Sequence, residues 1–397
     1  MVLKEEIGHL WPFYFYKFMR GLVFLTTITL FIFLTEKGLS YTQGAILVAF
    51  SSLAIVVSEL ITGSIADTFG RKKSVVIGLF IDSAIILGIA VTNSFWLLVV
   101  LFSLWGISTT LASGADSAWA IDSLIQKKRD DLLDSYYSRG RSFFNAGMTV
   151  AGLLSTSILS FSGNQTLWFL RVFLTLIMAI VLGLFAKEKF VRKDQISSMD
   201  VTLLNAKKSL KIFKKSLVLK KIGFILFFTC LATYIAESVA IQDFKLQAGI
   251  PLEWWGILFV IVSITGIFTP QLGMKIANKF KNLSDYLTWS YSLMAIVYAL
   301  AIVSLNIHFV IILTILFIVI YDFYLPAEEK LYNQHTPSAQ RASINSIKSM
   351  IQNAGVMLGM LIAGFLTDYL GGAKTIALSS VVLIPGIILM FRIKKKK

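Results

Sequence analysis

One cysteine in 397 residues leaves this chain no intramolecular disulfide and no cysteine metal cluster. Cys230 stands alone in an apolar run, and His9, His308 and His335 are too far apart in sequence for metal-ligand spacing. No Ser-His pairing, paired-His motif or phosphate-binding glycine loop occurs, so no enzyme chemistry, metal or cofactor is expected. Acidic residues are also few: 22 Asp and Glu stand against 37 Lys and Arg, for a net charge of +15. A basic face for nucleic acid is excluded by where the cations fall, because they gather in alternate loops between apolar runs. A small-residue cleavage site is missing as well: Lys4, Glu5 and Glu6 precede an apolar run that continues past Phe33, which reads as a retained first span.

What the chain has is apolar length. It is 56% hydrophobic and 13% aromatic with a mean hydropathy of +0.76, and its runs repeatedly reach the roughly 20 residues that cross a bilayer. They are continuous instead of alternating in ten-residue segments, which excludes a barrel. The expected fold is an all-α membrane protein of twelve spans, at 11–34, 43–66, 73–91, 95–124, 141–161, 167–186, 222–240, 254–277, 286–305, 309–327, 344–367 and 375–393. The longest interruption divides the chain into residues 1–186, a basic linker at 187–221, and residues 222–397. In the linker, Leu203, Leu210, Phe213 and Leu217 fall near one face with lysines between them, a pattern suited either to a helix on the inner leaflet or to a solvated tether.

Loop charge sets the orientation. Arg71 to Lys73, Lys127 to Arg129, Arg139 with Arg141, Lys275 with Lys279 and Lys281, Lys330 with Arg341, and the terminal lysines all fall on one side. The opposite loops hold little beyond Lys37, Lys245 and Lys374, so both termini are expected in the cytoplasm of a protein of the inner membrane, in contact with its lipids.

Two weak echoes join the halves. Asn145-Ala146-Gly147 recurs as Asn353-Ala354-Gly355, an offset of 208, with Gly152 and Gly359 following, and Gly63 has a counterpart at Gly273, an offset of 210. Ala277 takes the place of Asp67 in the second copy. Such duplication suits a secondary transporter, whose site lies where its repeats meet.

The loop at residues 63–73 reads Gly-Ser-Ile-Ala-Asp-Thr-Phe-Gly-Arg-Lys-Lys. Gly63 allows two helices to approach, Gly70 permits a turn at positive φ, and the basic triplet anchors the loop at the cytoplasmic lipid surface. With Asp67, Gly70, Arg71, Lys72 and Lys73 in place, the stretch resembles the loop between the second and third helices of the major facilitator superfamily; Thr68 replaces a basic residue. Phe15 to Leu22, the Glu59 to Asp67 segment, Asn333 to Pro337 with Arg341, and Gly364 with Asp368 and Gly371 are similar to other parts of that family. The resemblance implies two pseudo-symmetric six-helix bundles, a monomer, and a gate in which Asp122 pairs with Arg71. Gly63, Asp67, Gly70, Arg71 and Asp122 are its gating residues. Departures from drug-exporting members lie at Thr110 to Gly114, which lacks their Arg and Gln-Gly pair, and between Gly147 and Gly152, which lacks their Pro.

Charges inside the spans carry the functional reading, since each costs about 2.5 to 3.5 kcal/mol on insertion scales. Asp116 lies about nine residues, ~14 Å of rise, from the basic loop, and is the first proton-coupling residue expected, with Glu237 assisting. Asp122 is about 600° further round the same helix and faces elsewhere. Arg20, Glu59 and Asp82 are cavity residues of the first half, where either acid is a partner for Arg20. Tyr321, Asp322 and Tyr324 are those of the second, suited to a cationic or amphipathic ligand. Arg171 is expected to snorkel toward the outer surface. The expected function is proton-coupled export of a lipophilic or amphipathic small molecule by alternating access around a central cavity. The rivals are a proton-symport importer of a nutrient and a transport-dead receptor, for which no loop but the linker has the length.

Overall fold

The computed structural model describes residues 2–112, 115–188, 213, 215–336 and 341–393, and no strand occurs among them. Most of the expected linker, including Leu203 and Leu210, lies outside these residues.

All twelve expected spans coincide with helices. α1 is Val2–Leu22, followed by a 3-10 turn at Val23–Thr26 and by α2, Leu30–Glu36. α3 to α6 are Tyr41–Phe69, Arg71–Val91, Phe95–Ala112 and Ala115–Gln126. α7 is Leu133–Phe161 and α8 Asn164–Phe185. α9, Leu217–Ile235, passes through a π-helical turn at Ala236–Ala240 into α10, Ile241–Gln247. α11 to α15 are Leu252–Ala277, Leu283–Ala299, Ile307–Gln334, Arg341–Leu370 and Gly372–Ile393. Ten spans among the described residues have the length and apolarity to cross a membrane, and the bent first span is an eleventh. The ninth expected span, α12, has 17 residues and continues into a 3-10 turn at Leu300–Ile302.

The first span is bent by 44° between Leu10–Thr26 and Leu30–Glu36. A break in hydrocarbon is tolerated only where side chains meet the freed polar groups. Here Asn164 Nδ2, on α8, donates to the Thr29 carbonyl at 3.4 Å while its Oδ1 accepts from Thr29 Oγ1 at 2.7 Å, and Arg171 Nη1, also on α8, donates to Thr26 Oγ1 at 2.6 Å.

Two compact units are present, each drawn mainly from one half of the chain with one short segment from the other. Unit 1 comprises Met1–Gly38, Phe50–Ile196 and Leu252–Ser263, and unit 2 comprises Leu39–Ala49, Ser197–Pro251 and Ile264–Lys397. In unit 1, Phe13, Tyr16, Met19 and Trp119 are buried in one apolar core, with Phe13 edge-on to Trp119 at 5.2 Å. α1 and α7 cross with their backbones in contact: a Cβ on Gly147 would overlap the carbonyl of Phe18, and one on Gly21 the carbonyl of Phe144. In unit 2 the same geometry recurs where α9 crosses α14. A Cβ on Gly355 would stand 2.9 Å from Phe227 O, and one on Gly359 2.8 Å from Leu231 O. The sequence echo of Gly147 and Gly355 thus marks corresponding close crossings of small residues, a common way for membrane helices to pack.

Carboxylates cap two helix starts, where unpaired N–H groups and the positive end of the helix dipole favour an anion. Gly70, at φ 101°, turns the chain into α4, and Glu188 accepts from the amides of Arg71 at 2.8 Å and Lys72 at 3.0 Å. In unit 2, Asp368 accepts from the amides of Tyr41 at 2.9 Å and Thr42 at 2.8 Å.

Candidate functional site

Unit 1 places Asp116 in an ion pair. Lys17 Nζ, on α1, lies 3.0 Å from Asp116 Oδ2 and donates to Ser117 Oγ at 3.3 Å, while the Ser117 amide donates to Asp116 Oδ1 at 2.6 Å. Lys17 also stands 5.9 Å and 6.0 Å from the ring centroids of Tyr16 and Tyr136. Sequence reading set a Ser or Trp beside Asp116 as its alternative role; the lysine on α1 was missed, although it stands three residues before Arg20. Lys17, Ser117, Tyr136, Tyr137, Arg141 and Phe144 line a cavity of about 240 Å³.

Arg20 acts electrostatically on Tyr16, Asp116 and Asp82, whereas Glu59 is exposed. Asp82 accepts from Ser108 Oγ at 3.1 Å. Arg171 corrects the sequence reading: it does not snorkel. Its side chain is 7% exposed, with the guanidinium 4.8 Å over the Trp105 ring, one donor on Thr26 and Asp82 in electrostatic reach. A residue near a helix end reads as surface-seeking in sequence, but the break between α1 and α2 opens a polar acceptor beside it.

Arg71 Nη1 donates to Asp122 Oδ2 at 2.5 Å. This pair is largely solvated, Asp122 being 53% exposed, so it is easily broken and reformed. The backbone of α3 passes through Gly63 and Asp67, whose side-chain surroundings lie outside what the structure describes.

In unit 2, Glu237 sits in the π-helical turn, and Tyr298 OH donates to its Oε1 at 2.6 Å. No cation pairs with it among the described residues. Thr269 Oγ1 donates to Asp322 Oδ2 at 3.3 Å. Tyr324 packs edge-on against Tyr321 at 5.5 Å and Tyr291 at 5.0 Å, and Tyr291 OH donates to Glu328 Oε2 at 2.5 Å. Lys348 pairs with Glu329 and lies 5.1 Å from the Tyr332 ring centroid. Sequence reading missed Glu328 because the tenth span was ended at 327, whereas α13 runs on to Gln334. Tyr291 and Tyr298 gave no signal apart from composition, since helical aromatics are common wherever a core is packed.

A family profile described as Major Facilitator Superfamily matches residues 10–320. Among curated proteins, the chain is 21% identical over 371 residues to YttB of Bacillus subtilis (strain 168), an uncharacterised MFS-type transporter, spanning 92% of this chain and 89% of that one. It is 24% identical over 261 residues to the alpha-ketoglutarate permease of the same organism, spanning 62% of this chain and 57% of the permease. Among solved structures, the nucleoside transporter NupG superposes with a TM-score of 0.79 at 13% identity, covering 97% of this chain and 99% of its own. The POT family transporter PepTSo superposes with a TM-score of 0.73 at 11% identity, covering 98% and 99%. At such identities these likenesses establish the fold alone.

Proposed function

The chain belongs to the Major Facilitator Superfamily and is a multi-pass membrane transporter, and on that premise we propose that it couples the movement of a small amphipathic organic molecule to protons, by alternating access and in the outward direction. It works as a monomer in the inner membrane with both termini cytoplasmic. The observation that carries proton coupling is Glu237. Its carboxyl lies in a π-helical turn, a departure from regular helix that recurs at functional sites, and a tyrosine hydroxyl is its hydrogen-bond partner. An anion so placed is expensive in a membrane, whereas the protonated form keeps a hydrogen-bonding role with Tyr298. Tyr291, Tyr321 and Tyr324, with Asp322, supply ring faces and a carboxylate for an amphipathic ligand.

A second reading, inward symport, is favoured by the basic lining of the unit 1 cavity and by the likeness to a permease for a dicarboxylate. Direction separates the two. Export releases protons from inverted vesicles that are acid inside when substrate is added, whereas symport accumulates substrate in right-side-out vesicles under an inward proton gradient.

Arg71 and Asp122 act as a gate latch in this reading. Arg71→Asp or Asp122→Arg alone is expected to cut transport severely, and the double reversal to restore a substantial part of it. A double variant no better than either single one, measured by substrate flux at equal protein level, removes direct pairing from the mechanism.

A further inference from the structure

The unit 1 cavity has a charge pattern that transport in general does not require. Two cations, Lys17 and Arg141, line it, and no carboxylate lines it among the described residues; Asp116 is held at its margin by Lys17. An ammonium has three donors, of which Asp116 and Ser117 take two. The Arg141 guanidinium lies 5.5 Å over the Phe144 ring, and no carboxylate pairs with it among the described residues. Tyr136 and Tyr137, 5.5 Å apart, supply further ring surface beside these charges. At about 240 Å³ the space falls below the ~300 to 1,000 Å³ of pockets for drug-sized ligands, which limits the occupant to about one ring.

We propose that this cavity binds a small aromatic or similarly flat organic anion, whose carboxylate bridges Lys17 and Arg141 and displaces Asp116 from Lys17. The step is balanced. The contact between Lys17 Nζ and Asp116 breaks and a contact between Lys17 Nζ and the ligand carboxylate forms, while Asp116 keeps the hydrogen bond from the Ser117 amide. The other charged and titratable groups facing Asp116 are Tyr16 and Arg20 from α1 and Tyr136 from α7; they stay in place, so Lys17 is the group whose partner changes. The proposal rests on the proton-coupled reading above and names the substrate class for it.

The test is equilibrium binding of benzoate to the purified full chain in nanodiscs, by titration calorimetry. Neutral benzamide and cationic benzylamine serve as matched probes. Benzoate is expected to bind. Benzamide and benzylamine are expected to bind at least about tenfold more weakly, and Arg141→Gln, which breaks no ion pair among the described residues, to weaken benzoate by about tenfold or more. Asp116→Asn, which frees Lys17 from its counter-ion, is expected to bind benzoate more tightly than the wild type. Equal binding of the three probes, unchanged affinity in Arg141→Gln, or no benzoate binding overturns the proposal. Because binding is read without flux, its failure stands apart from the failure of proton-coupled transport, which vesicle measurements read independently.

Discussion

With Glu237 replaced by Gln, the transporter is expected to equilibrate its substrate across the membrane but no longer to concentrate it. Glutamine has nearly the shape of protonated glutamate and keeps a partner for the Tyr298 hydroxyl now 2.6 Å from Oε1, so the π-helical turn keeps its geometry. What it cannot do is release and regain a proton. A membrane potential of about 100 mV stores about 2.3 kcal/mol per charge, enough for a roughly fiftyfold concentration ratio with one coupled charge. In proteoliposomes the wild type is expected to approach such a ratio and Glu237→Gln a ratio near one, with exchange of labelled substrate against unlabelled retained. Concentration undiminished in the variant removes Glu237 from coupling; loss of both concentration and exchange reassigns it to binding or folding.

Gly147→Leu is expected to abolish the folded protein. Even a Cβ at this position overlaps the carbonyl of Phe18, and the opposing Gly21 meets Phe144 in the same way, so the obstruction is backbone that cannot rotate aside. Overpacking against movable side chains already costs about 1 to 3 kcal/mol, out of a total stability of about 5 to 15 kcal/mol. Here α1 must move off α7, which also disturbs the Lys17 to Asp116 pair, since Lys17 adjoins Phe18. Gly8→Ala is the control: no atom lies within 4 Å of its added Cβ, and it is expected to leave stability within about 1 kcal/mol. Folded yield by size-exclusion chromatography and the melting temperature decide the matter. A Gly147→Leu protein that melts with the wild type contradicts the close crossing.

The helical architecture was legible because hydrocarbon imposes a simple rule: apolar runs of bilayer length must be helices. The Asn-Ala-Gly echo suggests duplicated halves, and in the structure Gly147 and Gly355 both stand at close helix crossings. Helix ends were less legible, as polar residues continue a helix beyond the apolar run; Glu328 was lost in this way at the end of α13. Partners were the least legible. Depth along a span ranks Asp116 and Arg171 by cost but does not say which neighbouring helix turns a cation or a ring toward them. Lys17 and Trp105 emerged only from the contact of α1 with α6 and from the reach of the Arg171 side chain from α8 to a ring on α5. The pairing of Arg71 with Asp122 came from resemblance, and the ion pair is present in the structure; its gating role awaits the charge reversal.

The most direct test of proton-coupled export is proton flux in inverted membrane vesicles energised to be acid inside, with lipophilic cations, aromatic acids, neutral drugs, sugars and amino acids added in turn. In wild type, one class of compound is expected to dissipate the gradient, and that dissipation to be lost in Asp116→Asn and in Glu237→Gln. A gradient that no compound dissipates, or dissipation that survives both substitutions, contradicts it.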